Sequence, residues 1–244
     1  MNKLFYIIIL FFVSCGTTTV SENNSTISLN SLFSEKMILQ QSSIVPIWGS
    51  ASPNEVIEIS SSWGETTSTK VTELGEWKVS LNTPLGGYDT HQITIKTSSE
   101  VLKINEVLIG EVWLASGQSN MEMTFNYCCN TTDYSAEEIL NANNPSIRMF
   151  DVKKKVGKTP LQTIEGEWIS AEGNQIADFS APAYFFAKKL YKNLNVPIGI
   201  IHASWGGSDA EAWMSREKLQ SLNSFYQEEN KTLKSVDGTS KTNS

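Results

Sequence analysis

Cysteine is scarce in this chain. The 244 residues hold only Cys15, Cys128 and Cys129. No Cys-x-x-Cys and no Cys/His pair at metal-ligand spacing occurs, which argues against a structural zinc site. If Cys15 is modified or removed at the N-terminus, Cys128 and Cys129 have only each other. Adjacent cysteines leave three states open: a strained vicinal disulfide, two thiols, or a pair between chains. Histidine is scarcer still, with His91 and His202 alone. Basic clusters are missing too, and the formal net charge is −7. An acidic surface of this kind argues against nucleic acid and anionic membrane surfaces as partners. No motif calls for a metal or any other cofactor.

Long hydrophobic runs are absent apart from residues 4–13, broken only by Tyr6. That run is too short to cross a bilayer as a helix. With Met1-Asn2-Lys3 before it and Ser14-Cys15-Gly16 after it, residues 1–15 read as an export signal. A small residue followed by Cys at the end of such a run resembles a bacterial lipoprotein signal, with Cys15 lipidated. An ordinary secretory signal, with Cys15 lost, is the alternative. The expected location is therefore outside the cytoplasm, in the periplasm or at the outer membrane and cell surface. The lipid would be the only link to a membrane. Residues 16–27 are rich in Ser, Thr and Asn and read as a flexible tether.

What is present is enough hydrophobic material, 40% of residues, for one large or two modest cores. From 28 to 105 the pattern is of short strands at 37–40, 44–48, 55–60, 66–72, 76–81, 90–96 and 100–105. Turn signals such as Pro53-Asn54 and Trp63-Gly64 separate them. Ile57 and Ile59, then Trp77, Val79 and Leu81, alternate with polar residues. Regular spacing of this kind predicts a sandwich-like all-β domain over 28–105. From 106 to 226 the pattern changes to strand and helix in turn. Residues 107–115 lack alternation and predict a buried strand. A helix is predicted over 136–143, a strand over 146–152, a helix over 180–194 with Ser180 as N-cap, and a strand over 197–203. Phe186, Leu190 and Leu194, with Ala187 and Tyr191 alongside, are expected to form one apolar stripe on the longer helix. This alternation predicts a partial α/β unit with a parallel sheet. Residues 227–244 form a polar tail.

The strand 107–115 runs into Ser116-Gly117-Gln118-Ser119-Asn120. A tight small-polar turn at the C-terminal end of a strand is where open α/β sheets place ligands. It is also where a serine nucleophile can be presented. Met121 stands where the G-x-S-x-G elbow has its second Gly, so that motif is not matched. Spacing alone leaves Ser119 open as a helix cap or turn residue.

Three blocks together carry a resemblance. They are Leu32-Phe33-Ser34-Glu35-Lys36-Met37-Ile38-Leu39-Gln40 with Val45-Pro46-Ile47-Trp48-Gly49, then Gly110-Glu111-Val112-Trp113 leading to Gly117-Gln118-Ser119-Asn120-Met121, then Pro197-Ile198-Gly199-Ile200-Ile201-His202-Ala203-Ser204-Trp205-Gly206-Gly207-Ser208 leading to Glu211-Ala212-Trp213. In this order they resemble the sialate O-acetylesterase family of SGNH-type serine esterases. The resemblance implies an SGNH-hydrolase-like α/β fold accompanied by a β-rich domain. It implies an acetylated sialic acid or other acetylated glycan as substrate. It implies Ser119 as nucleophile, with its own N–H as one oxyanion donor. A second donor is implied in the glycine loop, at Gly207 or Gly206, with Gly207 preferred.

Two family features are missing. The family's base lies in an Asp-x-x-His pair, and no such pair occurs here. The nearest is Asp89-Thr90-His91, with one residue between. His202 beside the glycine loop reads as a partly buried strand-end histidine, since the family takes no base from that position. The family's Gln-Gly-Glu-Ser loop is absent as well. The reading is of a C-terminally truncated chain. The alternative class is a non-catalytic surface lipoprotein that binds carbohydrate through its β-rich part.

One outcome is expected for Cys15. Mass spectrometry of the mature protein should find a diacyl or triacyl lipid on an N-terminal Cys15; an unlipidated N-terminus beyond it would disprove the anchor.

Overall fold

A computed structural model of the chain describes residues 27–126, 135–156, 161 and 163–221. Expectations on residues 1–15, Cys15, Cys128, Cys129 and the tail 227–244 lie outside the described residues, as does nearly all of the tether.

The chain runs through β1 (Ser28–Leu29), β2 (Ile38–Gln40), β3 (Ile44–Ser50), β4 (Val56–Ser61), β5 (Thr66–Lys70), β6 (Glu76–Asn82), β7 (Gly87–Lys96) and β8 (Val101–Gly117). Then follow α1 (Ser119–Glu122), α2 (Ser135–Asn141), β9 (Asn143–Asp151), β10 (Trp168–Glu172), α3 (Ala181–Leu194), β11 (Ile198–Ser204) and α4 (Arg216–Gln220). β1 and β10 have no counterpart among the predicted elements. The strands form two sheets. One has the order β1-β3-β6. The other runs β10-β9-β11-β8-β7-β4-β5, with β2 beside β8. The second sheet is mixed: β11 lies parallel to both β8 and β9, while β7 and β10 are antiparallel to their neighbours.

The alternating strands bury the residues that their period-two pattern selects. Ile57, Ile59, Trp77, Val79, Leu81, Ile93 and Ile95 all lie in one core, with Ile47 and Val107. Burying one such side chain stabilises by about 1.5–3 kcal/mol relative to exposure. Phe150 and Trp168, from β9 and β10, belong to the same core. A second core sits under α3, where Tyr184 and Ala187 pack with Ile147, Met149, Ile198 and Ile200. Met149 and Phe150, neighbours on β9, thus face different cores, as the pleat requires.

β8 passes unbroken through residue 105, where the sequence pattern changes. The change marks a bulge. Glu106 has φ +55, and the register with β7 shifts between His91 and Ile93. The Arg148 guanidinium, 5% exposed, donates to the Glu106 carbonyl and to the Pro145 carbonyl. Burial lowers its affinity for a proton. The bulge re-aims the strand while the ladder continues.

Two expectations need correcting. Val107, Leu108 and Ile109 are buried, but Trp113 and Leu114 on the same strand are exposed, at 42% and 68%. Beyond Gly110 only β11 pairs with β8 among the described residues, so one edge there is open. The buried face of α3 is Ala183, Tyr184 and Ala187, and Phe186 and Leu194 point outward. The helix sits so close to the sheet that alanines fit the interface. Phe186 instead meets Trp113 edge to face, with centroids 5.3 Å apart.

The parallel ladder needs a close approach at its start. A Cβ on Gly110 would lie 2.0 Å from the Pro197 carbonyl oxygen, while one on Gly87 would meet open space. Gly110→Ala should therefore destabilise by about 2 kcal/mol, because backbone cannot give way as a side chain can. Gly87→Ala should stay within about 0.5 kcal/mol. Urea unfolding of both variants tests the difference.

Candidate active site

The parallel register of β8 and β11 sets the site. Ala115, Ser116 and Gly117 lie opposite His202, Ala203 and Ser204. Both strands therefore end at the same sheet edge, and the loops that leave them are neighbours. The Trp205 N–H donates to the Gly117 carbonyl at 3.0 Å and ties the second loop to the first.

Gly117 has φ +145, a conformation that favours glycine, and the chain then turns through Gln118 into α1. Gln118 is the N-cap and makes no side-chain cap bond. Ser119 is the first helical residue and is exposed. It is thus not the cap of this helix. The four-residue α1 is fastened from below. Ala181 N–H donates to the Met123 carbonyl at 2.8 Å. The fully buried Ser180 hydroxyl donates to the Met121 carbonyl at 2.5 Å and accepts from Ala183 N–H at 3.2 Å. The predicted N-cap of α3 therefore also anchors the turn that presents Ser119. The first sequence block joins from the other side: β2 lies parallel to residues 108–110 of β8, and the Gln40 side chain accepts from Val112 N–H at 2.9 Å.

The glycine loop stands against Ser119. A Cβ on Gly206 would lie 3.6 Å from both Cα and Cβ of Ser119. The Gly206 N–H donates to the Glu122 carboxylate, which the Lys154 ammonium neutralises from its other oxygen. Lys154 also lies 5.8 Å from the Trp205 ring centroid. Gly207 turns the chain with φ +77, and Ser208 N–H closes the turn on the Trp205 carbonyl at 3.2 Å. The Trp213 indole donates to the Ser208 hydroxyl at 2.8 Å, so the Glu211-Ala212-Trp213 segment braces the loop. A cavity of about 210 Å³ beside it is lined in part by Trp205, Trp213 and Lys154.

The histidines bond to residues other than Ser119. His202 is 6% exposed and engages both ring nitrogens, Nδ1 at 2.6 Å from Asp151 Oδ1 and Nε2 at 2.7 Å from Ser204 Oγ. The Phe179 ring packs on it at 5.4 Å. His91 lies on β7 opposite Val107, with Nδ1 at 3.2 Å from the Ser62 hydroxyl. Among the described residues no group of three or more His, Cys, Asp or Glu side chains forms a metal cage. Sequence reasoning does not single out Glu122 or Asp151. Glu122 is three residues from Ser119, one helical turn on, which is a usable signal. Asp151 is 51 residues from His202 and meets it only through the β9–β11 pairing.

A family model described as "Carbohydrate esterase, sialic acid-specific acetylesterase" matches residues 109–240. The chain belongs to this acetylesterase family. It is 32% identical over 201 residues to the sialate O-acetylesterase of Mus musculus, covering 75% of this chain and 37% of that protein. To the Homo sapiens sialate O-acetylesterase it is 31% identical over 208 residues, 78% of this chain and 39% of that protein. The chain thus spans about two fifths of the length of these relatives. A crystal structure of a carbohydrate acetylesterase from Xanthomonas citri superposes with a TM-score of 0.74 at 33% identity, over 82% of this chain and 45% of that one. The acetylesterase family match begins within β8 and takes in both loops of the site.

The Gly206 bond should hold the loop in place. Glu122→Ala should speed hydrogen exchange at the Gly206 amide by about ten- to a hundredfold, as expected for loss of one charge-assisted bond. NMR exchange rates measure this directly, and unchanged exchange would show that the bond is not formed in solution.

Proposed function

We propose that this chain carries the nucleophile and two oxyanion donors of a serine esterase that removes O-acetyl groups from sialic acid or a related glycan. The observation that supports it is the apposition of exposed Ser119 and the glycine loop at one sheet edge. Ser119 Oγ attacks the acetyl carbonyl carbon, and the carbonyl π pair moves to oxygen. The N–H groups of Ser119 and Gly207 receive that oxyanion. Glu122 already occupies the Gly206 N–H, which favours Gly207 over Gly206 as the loop donor. Collapse of the tetrahedral species expels the sugar oxygen, which takes up a proton, and leaves an acetyl ester on Ser119. Water then releases acetate and restores the hydroxyl. The proton acceptor is assigned to neither histidine of this sequence.

The same reading includes an SGNH-type arrangement for 106–226 and an accessory role for the β-rich 28–105. It also includes export with a lipid on Cys15, supported by the apolar run 4–13 ending in Ser14-Cys15.

The test is acetate release from O-acetylated sialic acid, with another acetylated glycan in parallel, by an active polypeptide that contains this chain. Ser119→Ala should lower turnover on the order of 10³-fold or more. The 244-residue chain, without an Asp-x-x-His pair, should release little acetate above its own Ser119→Ala control. Full activity in Ser119→Ala would overturn the assignment, and no activity on any acetyl ester would favour the non-catalytic reading.

A further inference from the structure

We infer that Asp151, His202 and Ser204 form a positioning relay that sets the height of the glycine loop over Ser119. The inference rests on the proposed role of that loop as an oxyanion donor. Three facts combine. Asp151 ends β9, His202 lies on β11, and Ser204 is the last residue of β11 before Trp205-Gly206-Gly207. The imidazole bridges the two strand ends, at 2.6 Å to Asp151 and 2.7 Å to Ser204. His202 and Ser204 are each 6% exposed, and alternate residues of a strand share a face, so both hydroxyl and ring lie within the sheet's packed side.

The polarity of the relay follows from its members. An ionised carboxylate only accepts, so the bond to Asp151 places the proton on Nδ1. In the neutral ring Nε2 is then an acceptor, to which the Ser204 hydroxyl donates. This fixes the ring tautomer and the rotamer of Ser204 together, as an orienting partner does for a histidine elsewhere. The His202 carbonyl adds a backbone clamp, accepting from Val152 N–H at 2.9 Å. The root of the glycine loop is therefore held to β9, while Trp205 N–H holds it to β8 and Gly206 N–H to α1.

The trio has the donor order of a Ser-His-Asp triad, but its serine is buried on the face beneath the loop. Ser204 is read as a strut and Ser119 as the group that meets substrate. Asp151 is half-exposed, so it can be changed with the least damage to the fold.

The experiment has two arms. In an active polypeptide that contains this chain, Asp151→Ala should lower kcat about ten- to a hundredfold, the scale of a donor misplaced by about 1 Å. KM should stay within about twofold. Asp151→Asn, which keeps an acceptor for Nδ1–H, should recover most of the loss. In the 244-residue chain, proton NMR should show a downfield imidazole N–H that Asp151→Ala removes and His91→Asn leaves in place. Wild-type kcat in Asp151→Ala, a loss confined to KM, no recovery in Asp151→Asn, or no downfield proton would each overturn the relay. Covalent labelling of Ser204 by a fluorophosphonate would overturn it as well, by making Ser204 a nucleophile. Labelling of Ser119 alone agrees with the relay. Failure of the Ser119 assignment would show separately, as activity surviving Ser119→Ala.

Discussion

The pairing of β8 with β11 is the constraint on which the site depends. Seven consecutive residues are in register, ending with Ser204 opposite Gly117. Everything placed at that edge inherits its position from the ladder. The Ser119 turn and the glycine loop are separated by about 85 residues of sequence, yet they leave the sheet side by side. A slip of one residue would shift one loop along the other by about 3.3 Å. It would also turn His202 and Ser204 to the opposite face of the sheet. The close contact between Gly110 and Pro197 marks the start of this ladder and helps to pin it.

Around that edge, single residues serve two ends of the structure. Ser180 caps α3 and holds the backbone of α1 with the same hydroxyl. Glu122 sits on α1 and takes the amide of Gly206, with Lys154 arriving from the segment after β9. Each bond is modest in isolation, on the order of 1 kcal/mol for a neutral pair and more for a charged one. Their effect is geometric. A short helix of four residues cannot hold itself in water. Here it is fixed by α3 below and the glycine loop beside it.

Much of this was legible in the sequence where local pattern decides local structure. Alternating Ile57 and Ile59, and Trp77, Val79 and Leu81, point into the core as expected. Ser180 caps where a helix was expected to begin. The second and third sequence blocks meet at one sheet edge, and the first pairs with β8 further back, at residues 108–110. What was not legible depends on partners. Phe186, Leu194 and Ala187 fit one helical stripe, but of these only Ala187 is buried, beside Ala183 and Tyr184 on the face that meets the sheet. Trp113 and Leu114 lie in a run without alternation, yet burial needs neighbours on both faces and both edges. Asp151 is invisible as a partner of His202 until β9 and β11 are known to lie side by side. A strand as short as β1, two residues long, carries no period at all.

The 17-residue β8 belongs to both halves of the molecule. Its first part pairs with β7 and closes the β-rich core; its last part carries the turn to Ser119. The shift in sequence character at its middle invites a cut that the backbone does not offer. Recombination between relatives at that point would join half a strand to a foreign half, with the bulge at Glu106 and its Arg148 contact split between parents. A crossover that preserves both halves has to carry the whole strand. The β-rich part and the part bearing the glycine loop are thus joined through one continuous strand.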